Sequence, residues 1–439
     1  MQEVEEELLG MPISSAERKF NERVTKVEKN NFWLGVSSGV FYNLGCAFIS
    51  RTTVLPSFLS HLTNSSALIG IVGTFQDVGW YLPQFPASAW VQHKPQKMPM
   101  YRLSTALRIV LFFGFAAVTI FSSNTSLLLI VTVVSLLLFY LCSGLGGVVF
   151  MELFAKAIRP EKRSVFLGIR MAVAGILSAT IGAWAISTLL SSTKFPLNYG
   201  FVFLAGAVIS SAGLLFMAVM REPRDLHKTP QRSLGEQIKM GTQLLKTDHR
   251  FRYYVKTRLL LGLFPLGLPF LYLFAKRQLG FQTSEIGLFI ASECIGLVIS
   301  NFIWSKLAIT KSNKTVLIFS SLIAVLIPLL IIGYSTLELP HEGFIIIFAI
   351  AAAVDSGYTI GGMSYIIEIT PQKERTTYTA LYNTLLAFPI LLSFLAGMLL
   401  DSYGFVALYS ILLVFAIISV LYVRRLEVKP EFNGARKLF

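Results

Sequence analysis

Long apolar runs recur along this chain, and the short polar segments between them carry most of its charge. A helix of about 20 mostly apolar residues crosses the hydrocarbon core of a bilayer. By this criterion the pattern predicts an all-α membrane protein. The predicted transmembrane helices, called spans 1 to 12 in chain order, cover residues 32–55, 68–91, 103–122, 126–150, 164–190, 197–220, 258–276, 285–307, 315–335, 343–367, 376–400 and 404–424.

Composition agrees with a chain that lipid surrounds. Of the 439 residues, 54% are hydrophobic and 14% are charged, whereas a soluble domain carries about 25% charged residues. The three cysteines, Cys46, Cys142 and Cys294, each lie inside an apolar run. Their positions argue against a disulfide framework and against a zinc cluster, which needs closely spaced ligands.

The distribution of basic residues predicts the orientation. With the N-terminus inside, the cytoplasmic segments hold 31 of the 38 lysines and arginines, while the outer loops and outer helix ends hold four. Basic residues accumulate on the cytoplasmic side of membrane proteins. We therefore expect a multi-pass protein of the plasma (inner) membrane with both termini cytoplasmic, and we assign the net charge of +14 to these loops rather than to nucleic-acid binding.

The sequence repeats itself after about half its length. A shift of 217 positions places Ile69-Gly70 on Ile286-Gly287 and Gln76 on Glu293, and with small insertions Glu152 falls on Glu368. Two parallel six-helix repeats explain this match. The predicted organisation is a leader (1–31), a first half (32–220), a cytoplasmic linker (221–257), a second half (258–424) and a cytoplasmic tail (425–439).

Two polar segments outside the spans also have helical patterns. In the leader, Ser14 and Glu17 have the spacing of a capping box, which predicts a short helix lying on the cytoplasmic membrane surface. In the linker, Ser233 and Glu236 have the same spacing, and the apolar residues that follow suit an interfacial helix.

These features together make the chain resemble the major facilitator superfamily over residues 30–425. The resemblance depends on the six-plus-six layout, the long basic linker, the segments Glu152 to Arg163 and Glu368 to Arg375, and Gly397 to Gly404 at the end of span 11. One departure concerns the loop between spans 2 and 3, which lacks the aspartate that the family usually carries there. In the family that aspartate helps to latch the cytoplasmic side.

The resemblance implies a fold in which spans 1, 4, 7 and 10 line a central cavity. Spans 2, 5, 8 and 11 lie beside them, and spans 3, 6, 9 and 12 face lipid. It also implies alternating access, in which the two halves rock around a site near the middle of the membrane. These implications are expectations about this chain.

Ionisable residues inside the spans are the leading candidates for function, because each is costly in hydrocarbon without a partner or water. Asp355 lies near the middle of span 10 and is the first candidate for binding a cation or proton; a structural hydrogen bond is the alternative. Asp77 in span 2 and Glu293 in span 8 are its competitors for proton coupling. Arg51 in span 1 has three open assignments: snorkelling to the interface, an ion pair with Asp77, or holding an anionic substrate group.

Polar residues elsewhere in the spans form a second group of candidates. Asn43, Tyr140, Tyr358 and Asn383 are predicted to bind substrate together with Asp355 and Arg51. Near the cytoplasmic face, Glu152 and Arg170 are predicted to form a structural pair. The predicted cytoplasmic gate comprises Glu152, Arg163, Arg170, Glu368 and Arg375.

The sequence favours a secondary transporter of a small organic solute, coupled to protons. A non-transporting membrane sensor or assembly partner with the same fold is the alternative, and the missing loop aspartate is the feature that favours it. The chain contains neither a phosphate-binding G-x-x-x-x-G-K-[ST] loop nor a metalloprotease H-E-x-x-H motif. We therefore expect no enzymatic activity, cofactor, metal or nucleic-acid partner, and a monomer whose partners are lipid, a small solute and protons.

Overall fold

The structure, a computed structural model, describes residues 15–92, 94, 96–158, 160–222, 234–337, 339–370 and 375–427. All regular secondary structure in these ranges is helical. Nine helices in them are long and apolar enough to cross a membrane. The longest of these, Leu381–Arg424, has a non-helical residue at Gly404, where the sequence places the boundary between spans 11 and 12. The number of twelve spans stays a prediction.

The first half is built from ten α-helices. They are α1 (Ser15–Ala47), α2 (Val54–Leu62), α3 (Ser66–Gly73), α4 (Phe75–Tyr81), α5 (Gln84–Gln92), α6 (Met98–Phe121), α7 (Thr125–Ala157), α8 (Pro160–Leu177), α9 (Ala183–Ser192) and α10 (Leu197–Ala218). A π-helical segment, Ser178–Gly182, joins α8 to α9 within predicted span 5.

The linker and the second half contribute eight more α-helices. They are α11 (Leu234–Thr247), α12 (His249–Leu261), α13 (Leu268–Gln278), α14 (Ile286–Thr310), α15 (Asn313–Thr336), α16 (Ile346–Ile369), α17 (Arg375–Ile390) and α18 (Ser393–Arg424). Three short 3-10 segments lie between them. Helix α11 confirms the helix predicted in the linker, although Ser233 lies outside the described residues.

The leader does not form the separate short helix that the sequence predicted. Its described residues continue directly into span 1 as α1, with no glycine or proline to interrupt the helix between Ser15 and Trp33. Two contacts fix this end of α1 to the first half: Glu28 pairs with Lys162, and the side chain of Asn31 bonds the backbone of Arg221. Burial of these polar groups favours one continuous helix over a surface helix.

Spans 1 and 2 were predicted as uninterrupted helices, and both are broken. Span 1 stops being α-helical at Phe48, and the chain resumes as α2 at Val54. Span 2 consists of α3, α4 and α5, with interruptions at Thr74 and at Leu82-Pro83. Helix breaks at membrane depth are tolerated where protein or a water-filled cavity surrounds the freed backbone groups.

The helices of the two halves pack in the same pairs. In the first half, span 1 packs on spans 5 and 6, span 4 on spans 2 and 3, and span 3 on span 6. The second half repeats each pairing, with span 7 on 11 and 12, span 10 on 8 and 9, and span 9 on 12. The halves meet through spans 2 and 11, spans 5 and 8, and the ends of spans 1 and 7.

One pair of side-chain contacts follows the same repeat. Lys97, just before α6, bonds Glu152 near the end of α7 with 3.2 Å between Nζ and Oε2. In the second half, Asn313 at the start of α15 bonds Glu368 near the end of α16. The sequence shift that relates Glu152 to Glu368 therefore also relates their partners in space.

Large apolar side chains are exposed on the helices that the resemblance places toward lipid. Val110 on α6, Phe319 on α15 and Val414 on α18 are examples, and Phe121 at the end of α6 is 88% exposed. In water such a surface would be an aggregation hazard. In a bilayer it is the expected contact with acyl chains.

Close packing of spans 2 and 4 depends on a glycine. A Cβ atom added at Gly144 would collide with the backbone carbonyl of Gly79 and lie 2.6 Å from Cγ of Pro83. We predict that Gly144→Val destabilises the protein by about 1–3 kcal/mol, because overpacking against rigid backbone forces the helices apart. Thermal unfolding of the purified protein measures the change.

The matched control is Gly168→Val, because no atom lies within 4 Å of the Cβ position at Gly168. Both substitutions insert the same side chain into a helix of the same half. Equal melting temperatures for the two variants would contradict the proposed contact between spans 2 and 4.

Candidate functional site

The site begins at the break in span 1. From Phe48 to Ser50 the backbone amides bond the carbonyls three residues back, which tightens the last turn of α1 and ends it. Arg51 and Thr52 follow this turn directly. Both side chains therefore point into the protein interior, where Thr52 is buried. The broken helix therefore places a cation between the two halves.

Arg51 forms ion pairs with carboxylates of both halves. One nitrogen, Nη1, contacts Oδ2 of Asp77 on α4, and the other, Nη2, lies 3.0 Å from Oδ2 of Asp355 on α16. The Arg51 side chain is only 11% exposed, so this pair is not the snorkelling arrangement that was one alternative. The predicted Arg51–Asp77 ion pair is present, and Asp355 is an additional partner.

Asp355 differs from Asp77 in its exposure. The side chain of Asp355 is 45% exposed, against 16% for Asp77. Only one oxygen of Asp355 contacts Arg51. Asp355 therefore combines an ion pair across the halves with an accessible face.

Glu293 joins the same group through a neutral donor. The hydroxyl of Thr52 donates a hydrogen bond of 2.6 Å to Oε2 of Glu293 on α14. Glu293 belongs to the second half and Thr52 to the first, so this bond also crosses the halves. The bonded donor carries no charge, unlike the guanidinium that pairs with Asp77 and Asp355.

A small cavity of about 40 Å³ opens beside these residues. Its polar lining includes Asp77, Asp355 and a second arginine, Arg258, together with Tyr81 and Tyr358. Its remaining wall is Leu261, Gly262, Pro265, Thr359, Leu386 and Ile390. Spans 2, 7, 10 and 11 contribute these residues, so both halves enclose the cavity.

Arg258 is the functional candidate that the sequence reading missed, because it lies near the predicted cytoplasmic end of span 7. Its Nε donates to the hydroxyl of Tyr382 at 2.6 Å, and its Nη1 donates to the carbonyl of Tyr358 at 2.8 Å. Gly362 leaves room for the guanidinium, since a Cβ atom there would lie 2.8 Å from Cζ of Arg258. Both bonded acceptors are neutral oxygens.

The formal charges of the group do not balance. Three carboxylates, on Asp77, Asp355 and Glu293, lie with two guanidinium groups, on Arg51 and Arg258. One negative charge remains when all are ionised. Since an unbalanced charge away from bulk water is costly, this site favours taking up one proton or a positively charged group.

The predicted substrate-binding residues are placed differently from one another. Tyr358 lines the cavity. Asn383 donates to Gln84 and so joins span 11 to span 2. Asn43 donates to the carbonyl of Gly39 in its own helix, and Tyr140 is buried, with its Cβ packed near Gly79. The contacts of Asn43 and Tyr140 indicate structural roles.

The predicted pair between Glu152 and Arg170 is wrong. Glu152 bonds Lys97 instead, because Lys97 at the start of α6 reaches the end of α7. Nε and Nη1 of Arg170 are buried without a hydrogen-bond partner in the described part of the chain, and the guanidinium lies 4.7 Å from the ring centre of Phe150. Arg170 therefore packs against the aromatic face and Gly39 rather than against a carboxylate.

The other predicted gate residues, Arg163, Glu368 and Arg375, also lie at the predicted cytoplasmic ends of their helices. Nε of Arg163 donates to the carbonyl of Ile158 at 3.0 Å, so Arg163 closes the turn between α7 and α8. Glu368 bonds Asn313. Arg375 begins α17, but its side chain lies outside the described part of the structure. The role of all five residues as a gate stays a prediction.

Comparison with known proteins agrees with this architecture. A sequence model of the Major Facilitator Superfamily matches residues 266–438. The nucleoside transporter NupG aligns over 91% of this chain and 100% of its own, with a TM-score of 0.69 and 12% identity. The match to the family model thus covers the second half of the chain, and the shared fold extends over both halves.

Two further solved structures have the same fold. A POT family transporter in complex with 5-aminolevulinic acid covers 90% of this chain and 96% of its own, with a TM-score of 0.70 and 13% identity. A D-xylose-proton symporter covers 92% and 98%, with a TM-score of 0.68 and 12% identity. A comparison with curated protein sequences found no match.

Together with the nine helices long and apolar enough to cross a membrane, these findings indicate an integral, multi-pass membrane protein with the fold of the transporters named above. Lipid is therefore among its expected contacts. At such low sequence identities, structural similarity shows only that these proteins share a fold. The substrate and the coupling ion must be argued from the residues of this chain.

The ion pairs of Arg51 yield a prediction about stability. Removing one partner of a buried ion pair leaves the other charge uncompensated, which costs about 3 kcal/mol or more. We expect Arg51→Gln to lower the melting temperature. Adding Asp77→Asn should then recover part of the loss, because the second change removes one of the stranded carboxylates.

The matched control is Lys194→Gln, which removes a positive charge from an exposed position at the outer end of the first half. Its melting temperature should equal that of the unchanged protein. If Arg51→Gln and Asp77→Asn instead gave additive losses in the double variant, the two side chains would not be coupled.

Proposed function

We propose that this protein is a secondary transporter of the major facilitator superfamily, that it moves a small organic solute by alternating access, and that it couples the movement to protons through Asp355. The observation that carries the proposal is the Arg51–Asp355 pair, which joins the two halves while leaving part of Asp355 accessible. Protonation of a carboxylate in this position changes the strength of the contact between the two halves.

Cross-half contacts lie on both sides of Arg51. Spans 2 and 11 meet on the predicted cytoplasmic side, and a second set of contacts lies on the side of Arg51 away from the described chain ends, which is the predicted outer side. Ser57 bonds Tyr272 at 2.8 Å, Lys276 bonds Ser60 at 3.0 Å, and Arg277 bonds Ser66 at 3.1 Å. The Arg51–Asp355 and Thr52–Glu293 bonds form the innermost layer of this closed outer side.

Protonation supplies a physical way to open that layer. A proton on Asp355 removes the charge that attracts Arg51, and Arg51 keeps Asp77 as a partner. A proton on Glu293 likewise weakens its acceptance of the Thr52 hydroxyl. Since a ligand shifts a two-state equilibrium only by its different affinity for the two states, the proton must bind more tightly when the outer layer is open.

The cycle follows from this linkage. With the outer side open to an acidic compartment, Asp355 takes a proton and its bond to Arg51 is lost. After the halves rock, the cavity opens to the opposite side and the proton leaves to water. Asp355 then re-forms its pair with Arg51. Asp77 remains paired throughout, so we place Asp77 in the structure of the site and Glu293 second to Asp355 as a proton carrier.

We further propose that the protein is a monomer in the plasma (inner) membrane with both termini cytoplasmic. The asymmetry of basic residues supports the orientation. The described starts and ends of the halves also lie together, since Glu427 pairs with Arg250 and its carbonyl accepts from Tyr365 at 2.7 Å.

The test of proton coupling uses reconstituted vesicles and a solute identified by thermal-shift screening of metabolites. Asp355→Asn preserves shape and removes the titrating group. We predict that accumulation driven by a pH step falls to the level of empty vesicles in this variant. Exchange of solute between the two sides should survive at saturating solute, because exchange needs rocking but no proton.

Glu342→Gln is the matched control, since Glu342 is an exposed carboxylate of the same half, 71% exposed, and its variant should accumulate solute normally. Normal accumulation in Asp355→Asn would overturn the assignment of the proton to Asp355. If accumulation then failed in Glu293→Gln, Glu293 would be the carrier; if neither variant mattered, transport would not be proton-coupled through this cluster.

A further inference from the structure

Arg258 has a positive charge that no carboxylate in the described residues balances by a direct bond. Only 7% of the residue is exposed, and its bonded acceptors are the hydroxyl of Tyr382 and the carbonyl of Tyr358. A buried charge normally carries a counter-charge. The structural bonds use Nε and Nη1, which leaves Nη2 outside these bonds on a residue that lines the cavity.

The accessible face of Asp355 lines the same cavity. Arg258 bonds the carbonyl of Tyr358, which lies one helical turn from Asp355 on α16. One turn of α-helix rises about 5.4 Å. The lining of the cavity therefore includes one cationic and one anionic residue that meet the same short stretch of α16.

From this arrangement we infer that the substrate is a small zwitterion, an amino-carboxylate whose carboxylate binds Arg258 and whose ammonium group binds the accessible face of Asp355. The inference rests on the proposed function, because it assigns the substrate class of the same cavity. Arginine suits the anionic end, since guanidinium groups bind carboxylates through parallel hydrogen bonds.

Charge balance favours a zwitterion over other solutes. An anion would add a second negative charge to a group that already holds one in excess. A simple cation would balance that charge but leave Arg258 unmatched. A zwitterion adds no net charge, supplies a carboxylate to Arg258, and gives Asp355 a second cationic partner beside Arg51.

The rest of the cavity supplies the remaining contacts. Tyr81 and Thr359 offer hydroxyl groups near the charged wall. Leu261, Pro265 and Ile390 offer an apolar surface for the uncharged part of the solute.

The inference also fixes the order of events at Asp355. The oxygen atoms that would hold an ammonium group are those that take the proton in the proposed cycle. A protonated Asp355 no longer attracts the ammonium group by charge. The zwitterion therefore binds while Asp355 is ionised, and proton and ammonium occupy this carboxylate in turn.

The experiment measures binding to the purified full chain in lipid nanodiscs by thermal shift and isothermal calorimetry. The probes are the standard L-amino acids and their dipeptides, the corresponding amino-acid amides, which lack the carboxylate, and the N-acetyl amino acids, which lack the ammonium group. We expect one or more zwitterions to raise the melting temperature, and the matching amide and N-acetyl forms to have no effect.

Variants then locate the two charges. Arg258→Gln should weaken binding of the responding zwitterion about thirtyfold, the loss of one charge-assisted contact, and Arg258→Lys should retain part of the affinity. Lys256→Gln is the control, since Lys256 is an exposed cation on the same helix, α12. Asp355→Asn should also weaken binding of the zwitterion, and the N-acetyl form should remain without effect in this variant.

Each outcome separates the substrate assignment from the proposed function. Binding does not require coupling, so a responding zwitterion that shows no pH-driven accumulation would support the inference and overturn proton coupling. No response to any zwitterion, or equal responses to zwitterion and amide, overturns the inference. If Arg258→Gln unfolds, Arg258→Lys and Asp355→Asn decide, because unchanged affinity in both would also overturn it.

Discussion

The constraint on which the site depends is the burial of Arg51 between two halves that each offer it a carboxylate. Removing a guanidinium from water is costly unless charged partners replace the hydration. Asp77 supplies one partner from the same half and Asp355 supplies another across the cavity. Because one of the two partners belongs to the opposite half, the free-energy cost of burying the Arg51 charge depends on the relative position of the halves.

This link explains why the break in span 1 matters. A continuous helix would carry Arg51 along its surface at a depth set by the helix alone. The tightened turn at the end of α1 instead directs Arg51 and Thr52 inward, where they meet Asp355 and Glu293. The local break in span 1 thus allows Arg51 and Thr52 to form contacts between the two halves.

The pseudo-symmetry of the fold does not extend to the charges of the site. Helix pairs recur between the halves, and Lys97–Glu152 recurs as Asn313–Glu368. The cavity, in contrast, takes Arg258 and Asp355 from the second half. A repeated scaffold with an unrepeated set of charges is able to rock as two similar bodies while binding an asymmetric solute.

The sequence by itself determined the membrane class, most span positions and the parallel repeat, because hydrophobic length and basic-residue bias are local properties that lipid imposes. It also brought out Arg51, Asp77, Asp355 and Glu293, since ionisable groups in apolar runs need partners. It did not determine how those partners are shared. Only the tertiary structure decided three features. Glu152 pairs with Lys97 rather than Arg170, the break in span 1 directs Arg51 inward, and Arg258 lines the cavity. Each depends on where neighbouring helices place their backbones.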